Sequence, residues 1–203
     1  MSIPAGAARM VLVRHGETDY NREDRWQGSR SNVPLNAAGR AQAASLAESL
    51  AERYDHEIAA IYTSDLDRAR QTAEILAERL GLEVEEEPGL RELDHGRWDG
   101  RLKIEIVERW PDEYAAYQAD PRNVRRGGGD SYADLAERLW PVLERLAERH
   151  RGERIAVVSH GGPIRLVMSR VLDRPLTERD AFGVVNASIF EVEYFAGGWT
   201  LIR

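Results

Sequence analysis

Three short apolar runs, each ending in a polar turn and each followed by a helix-forming stretch, constrain this chain more than any other feature of its sequence. The runs are Met10-Val11-Leu12-Val13-Arg14, Ile58-Ala59-Ala60-Ile61-Tyr62 and Arg154-Ile155-Ala156-Val157-Val158-Ser159. Continuous apolar segments of this length, bounded by turns, read as strands buried on both faces. Between them lie helical patterns. One spans residues 37–53, rich in Ala, Leu and Glu, with Asn36 placed to cap it. Another spans 66–80 and stops at Gly81, a residue that accepts a left-handed C-terminal turn. Ser131 and Asp134 form a capping-box pattern for a third, reaching about residue 150, and a fourth covers 161–172.

Strands alternating with helices predict an α/β fold: a three-layer α/β/α sandwich around a mainly parallel sheet. A short strand at 82–85 and a C-terminal hairpin, 187–195 with 199–203 across Ala196-Gly197-Gly198, complete the expected elements. The acidic run Glu85-Glu86-Glu87 reads as a solvated edge. No repeat or low-complexity linker divides the chain, so residues 1–203 are expected to form one domain. Residues 90–129 are less regular, with short helices at 102–110 and 112–117, and read as a cap-like excursion that ends in the linker Gly127-Gly128-Gly129.

Composition then excludes several classes. There is no cysteine among the 203 residues, which removes a disulfide scaffold, a thiol nucleophile and cysteine-ligated zinc. A net charge of -7 argues against nucleic-acid binding. No apolar run is long enough to span a bilayer, and the start lacks a signal-like apolar block, so the expected location is the cytoplasm. A homodimer is compatible with the chain's size.

Two of the strands run into turns of the same form, Val13-Arg14-His15-Gly16-Glu17 and Val158-Ser159-His160-Gly161-Gly162. In a parallel α/β sheet such turns lie at the carboxyl ends of the strands, where ligands bind. The strand ending at Tyr62 delivers Thr63, Ser64 and, one helical turn later, Arg68 to the same rim. Two histidines and two arginines, Arg14 and Arg68, suit a phosphate. Arginine presents a planar fork of donors that does not titrate away, and a neutral histidine is a nucleophile. A proton donor for the leaving oxygen is also needed, and Glu92 is the best placed carboxylate by strand order.

These residues carry a family resemblance. Arg14-His15-Gly16-Glu17-Thr18 with Asn21, Gln27 and Gly28, then Ser64-Asp65-Leu66 leading to Arg68-Ala69, then Leu90-Arg91-Glu92 with Gly96, Trp98 and Gly100, and finally Ser159-His160-Gly161-Gly162 form four ordered blocks. Together they resemble the histidine phosphatase superfamily, the phosphoglycerate-mutase-like proteins. The resemblance implies that His15 is phosphorylated, that Arg14, Arg68 and His160 form the phosphate pocket, and that Glu92 is proton donor and later base. It implies that Asn21 and backbone groups at Gln27, Gly28 and Gly161 hold oxygens of the phosphate or substrate. Asn32 and Asn36 depart from the family's usual Asp and Thr.

The function expected on these grounds is hydrolysis of a small phosphorylated metabolite, with no metal and no cofactor. The rivals are a phosphoglycerate mutase and a non-catalytic phosphate-binding scaffold. Leu93 and His95 stand where the resemblance to mutases would call for Arg and Tyr, and residues 101–129 look unlike a mutase's Arg-rich insertion. Few cations are therefore expected there to hold a second anionic group. Of the other histidines, His56 and His150 read as flanking surface helices, while His95 is a candidate substrate contact. Trp26 and Trp98 read as core or loop anchors that could wall the pocket, and Arg22, Arg25 and Arg30 as solvated.

Overall fold

The computed structural model describes residues 3–54 and 56–202. The first apolar run forms β1 (Ala8–Arg14), which starts earlier than its sequence pattern because Ala8 and Arg9 pair with Tyr194 and Glu193 across the sheet. A four-residue helix, α1 (Asp19–Arg22), follows, with the Thr18 hydroxyl accepting the Asn21 N–H at its start. Next come α2 (Ala37–Tyr54), β2 (Ile58–Thr63), α3 (Asp67–Leu80) and the edge strand β3 (Val84–Glu86). Asn36 Oδ1 accepts the Gly39 N–H at 2.8 Å and so caps α2. Leu66 at the head of α3 has no side chain for that task; Asn32 Oδ1 accepts the Asp67 N–H at 2.8 Å in its place. Both departures from the family pattern thus satisfy helix ends.

The excursion holds α4 (Lys103–Arg109) and α5 (Pro111–Ala119), with 3-10 turns at Gly96–Trp98 and Arg126–Gly128. Then α6 (Tyr132–Arg149) starts at a capping box in which Ser131 and Asp134 each bind the other's backbone N–H, at 3.2 and 2.8 Å. Last come β4 (Arg154–Ser159), α7 (Gly161–Val171), a 3-10 segment Leu176–Phe182 absent from the sequence pattern, and the hairpin β5 (Ile189–Phe195) and β6 (Gly198–Ile202).

The sheet order is β3-β2-β4-β1-β5-β6; the first four strands are parallel, β5 pairs antiparallel with β1, and β6 pairs antiparallel with β5. Side chains alternate across a strand, so each central strand feeds two cores. Met10 and Leu12 pack with Leu135, Leu139 and Val167 under α6 and α7; Val11 and Val13 pack with Leu50, Ala73 and Leu76 under α2 and α3. Each buried Leu, Val or Met contributes about 1.5–3 kcal/mol, and the two cores clamp the sheet into three layers. Among the described residues no helix is long and apolar enough to cross a membrane.

Two readings of the sequence are corrected. His150 is buried, not superficial: its ring bonds to the Tyr62 hydroxyl at 2.9 Å and to Glu153 at 2.6 Å, tying the end of α6 to β2. The triple glycine is a fastener, not a linker. Asp130 N–H donates to the Asp94 carbonyl at 2.7 Å, and Gly127, at φ 55°, lies so close to the His95 carbonyl and the Trp98 ring that a side chain would overlap them. This backbone-to-backbone seam closes the excursion over a third apolar cluster of Trp98, Ile106 and Tyr117.

Candidate active site

In register, Arg14 at the end of β1 lies opposite Ser159 at the end of β4, and Thr63 of β2 lies opposite Val158. The three parallel strands therefore stop at one rim and deliver their turns to it. His15 is 3% exposed, and its Nδ1 lies 2.7 Å from the Gly16 carbonyl oxygen. A carbonyl only accepts, so Nδ1 carries the proton and Nε2 is left with its lone pair. Burial first, then the charges of Arg68 and Arg14, hold His15 well below the usual histidine range, which keeps the ring neutral.

His160 packs against His15 with ring centroids 5.2 Å apart. Its Nδ1 accepts from Arg68 Nε at 3.2 Å, so its Nε2 donates to the Ser64 hydroxyl at 2.8 Å. Burial, followed by Arg68 and His15, lowers its pKa as well. Arg68 is fully buried and donates also to the carbonyls of Ser31 and Gly28, at 2.8 and 3.1 Å. Burial draws Arg68 and Arg14 down to about 10, so both remain cationic near neutrality. Each terminal nitrogen of Arg68 keeps a second N–H for an anion.

A cleft of about 380 Å³ opens over this cluster, walled by Arg14, His15, Asn21, Gln27, Glu92 and Gly161 among others. Arg68 and His160 sit behind that wall. Gly28 does too: its N–H donates to Asp99 at 3.2 Å and its carbonyl accepts from Arg68, so it braces the pocket and does not face it. That corrects its expected part in holding substrate oxygens. Gln27 is buried, with its side-chain oxygen accepting from the Thr18 hydroxyl at 2.8 Å. Asn21 Oδ1 accepts from Thr18 N–H at 3.2 Å and from Asn186 at 2.9 Å, which leaves the Asn21 amide as a donor.

Glu92 is 8% exposed, and its carboxylate accepts the N–H groups of Leu93 and Gly162. It therefore sits at the positive end of α7, beside the cleft. Glu17, the other carboxylate of the first turn, faces away and accepts from Asn36 at 2.9 Å. Among the described residues no group of three or more His, Asp or Glu is arranged to hold a metal ion.

Sequence reasoning missed several polar residues of the cleft, among them Lys103, Arg126, Arg165, Arg179, Asp180 and Asn186. The spacing of Arg165 from Gly161 was a usable signal, since four residues on a helix return to one face. Asn186 had none; it reaches the site only because the chain preceding β5 passes over His15, where its amide donates to the carbonyls of His15 and Gly16 at 3.2 and 3.3 Å. From the excursion, Lys103 and Arg126 place cations at the cleft. Of the tentative contacts, His95 and Trp26 do wall the cleft, with ring centroids 5.0 Å apart, whereas Trp98 is fully buried beneath them. Arg25 also reaches the cleft; Arg22 and Arg30 are paired at the surface with Asp19 and Asp94.

Comparison with known proteins agrees with this geometry. The sequence profile of the histidine phosphatase superfamily (branch 1) matches residues 10–203. The chain belongs to the histidine phosphatase superfamily. This histidine phosphatase is 40% identical over 197 residues to phosphoglycerate mutase-like protein 4 of Arabidopsis thaliana, covering 96% of its own length and 83% of the relative's. It is 35% identical over 204 residues to a metal-independent phosphoserine phosphatase of the same plant, covering 99% and 82%. A solved mycobacterial glucosyl-3-phosphoglycerate phosphatase, in complex with VO3, superposes with a TM-score of 0.83 at 32% identity, over 96% of this chain and 97% of that one. The kinship makes the chain a hydrolase of the phosphatase type, acting on small phosphate esters.

Proposed function

We propose that this phosphatase works through a phosphohistidine on His15. The observation that carries the reading is the 2.7 Å bond from His15 Nδ1 to the Gly16 carbonyl, which leaves the other ring nitrogen unprotonated beside the cleft. In the first step Nε2 forms a bond to phosphorus as the bond to the leaving oxygen breaks, and Glu92 gives that oxygen its proton. In the second, Glu92 takes a proton from water, the oxygen attacks phosphorus, and the P–N bond breaks to return the electron pair to His15. Arg14, Arg68 and the cleft residue Arg165 supply the positive charge that stabilises the equatorial oxygens. Asn21 and Gly161 offer further donors, and His160 orients Arg68 and the face of His15. The substrate on this reading is a small phosphorylated metabolite.

Rapidly quenched enzyme should hold an acid-labile, base-stable phosphoryl group that His15→Ala cannot acquire. Labelling that persists in His15→Ala would remove the assignment. A mutase shares every step except the last acceptor, and NMR of 3-phosphoglycerate distinguishes the two. Release of phosphate should outrun isomerisation; interconversion stimulated by bisphosphoglycerate and faster than release would make the chain a mutase.

A further inference from the structure

The connection from the 3-10 segment to β5, residues 183–188, is tied to the active site at Val184, Asn186 and Ala187. Val184 is buried, and its carbonyl accepts from Arg14 at 2.9 Å and from Arg165 at 3.5 Å. The Ala187 N–H donates to the carbonyls of Arg14 and His15, at 3.1 and 3.2 Å. Ala187 stands at φ 56°, a left-handed conformation that a residue with a Cβ rarely adopts. Such strain persists only where surrounding contacts enforce it, and it gathers at functional sites. The result of this turn is the placement of one side chain, Asn186, against the backbone of His15 and Gly16.

The amide of Asn186 is fully committed. Its Nδ2 lies 2.9 Å from Asn21 Oδ1, 3.2 Å from the His15 carbonyl oxygen and 3.3 Å from the Gly16 carbonyl oxygen. An amide nitrogen has two protons, so one goes to Asn21 and the other is shared between the two carbonyls. A backbone donor fixes the direction of the whole chain of amides: Thr18 N–H can only donate, and it donates to Asn21 Oδ1 at 3.2 Å. Asn21 Oδ1 thus receives two donors, which turns Asn21 Nδ2 away from both, on a residue that walls the cleft. The Gly16 carbonyl has two lone pairs to offer. His15 Nδ1–H takes one at 2.7 Å, and Asn186 approaches the other, which limits the swing of that carbonyl. Asn186 therefore holds both the group that sets the His15 tautomer and the Asn21 donor.

We propose that Asn186 is a positioning residue for phosphoryl transfer: it aims the Asn21 amide at the transferring group and fixes the Gly16 carbonyl that sets the His15 tautomer. The proposal rests on the reading above, in which His15 is the nucleophile and Asn21 a donor to the phosphoryl oxygens. Donors aimed in advance need no reorganisation as charge develops in the transition state. Loss of the aim should therefore lower kcat more than it raises KM.

The test is a double-mutant cycle on Asn186→Ala and Asn21→Ala, read as the single-turnover rate of phosphoryl transfer from p-nitrophenyl phosphate to His15. Each single variant should be slower by on the order of 10- to 100-fold, the value of a charge-assisted bond, with KM changed much less. The double variant should fall well short of the product of the two losses, because one residue acts partly through the other. A merely structural asparagine would give losses that multiply. Multiplying losses overturn the proposal, as does a folded Asn186→Ala that transfers at the wild-type rate or whose loss lies wholly in KM. The wild-type protein decides the matter if Asn186→Ala does not fold: both side-chain amide protons of Asn186 should exchange slowly with solvent by NMR, and exchange at the rate of a free amide overturns the proposal. Labelling separates the two readings: multiplying losses in an enzyme that is labelled at His15 sink this proposal alone, and an enzyme never labelled there sinks both.

Discussion

The backbone N–H of Gly162 donates to both carboxylate oxygens of Glu92, at 3.2 and 3.0 Å. Any Cβ at position 162 would overlap Glu92 Oε1 and Leu93 Cδ1, so only glycine lets the first turn of α7 hold the carboxylate there. Gly162→Ala should therefore displace Glu92 while His15 and its arginines stay in place. Hydrolysis of alkyl phosphates should fall by about 10²-fold or more, as expected when a general acid is lost, while phosphoryl transfer from p-nitrophenyl phosphate falls much less. Steady-state rates on the two substrates check this, and equal losses would show that the turn, not the acid, had failed.

Replacing Glu92 itself by Gln keeps the shape and removes the proton. The loss on poor leaving groups should be about 10²–10⁴-fold, against a small loss for p-nitrophenolate. A parallel fall for both would assign the proton to another group. Glu17 is not in reach to substitute, since it faces Asn36.

Arg68→Lys preserves a charge but removes the fork that ties three segments together. The carbonyls of Gly28 and Ser31 and the Nδ1 of His160 would each lose a donor. A buried acceptor left unmet costs about 1–3 kcal/mol, so the variant should be destabilised as well as slow. Hydrogen exchange should rise across residues 28–33 in particular. Unchanged protection there would mean that the segment is held by other contacts.

Acid should weaken the fold through its buried histidines. His15, His95 and His160 are each held well below the ordinary value of 6.5, burial being the largest cause in every case. Below that value the unfolded chain binds protons that the folded chain refuses. Stability is thus lost as pH falls through about 6.5, by about 1.4 kcal/mol per pH unit for each such histidine until its folded pKa is reached. His95→Gln should make the decline between pH 7 and pH 5 shallower in denaturant titrations. A slope identical to that of the wild-type protein would show that His95 takes up its proton while folded.

Chelation should leave activity unchanged, because the positive charge at the phosphoryl site comes from arginine side chains. Activity lost in EDTA and restored by a divalent metal would overturn the mechanism.

Much of the fold and half of the site were legible in the linear order of residues. Apolar runs such as 10–14 and 154–159 announce strands because a segment buried on both faces must be apolar throughout, and Gly81, Asn36 and the Ser131–Asp134 pair announce helix ends because unsatisfied backbone groups need local partners. The turns after β1 and β4 carried His15 and His160 to one rim for the same local reason. Only the tertiary structure decided what lies across the cleft from them. Arg126 and Asn186 reach the cleft from segments far from His15 in sequence, and no periodicity encodes that approach. Nor could the sequence show that Gly28 braces Arg68 and does not face the pocket, or that Gly127 to Gly129 is a seam and not a linker. Local hydrogen bonding and side-chain period act over a few residues and can be read directly. Which loops meet over a strand end depends on the packing of the whole sheet and its two helical layers, and it appears only once the chain is folded.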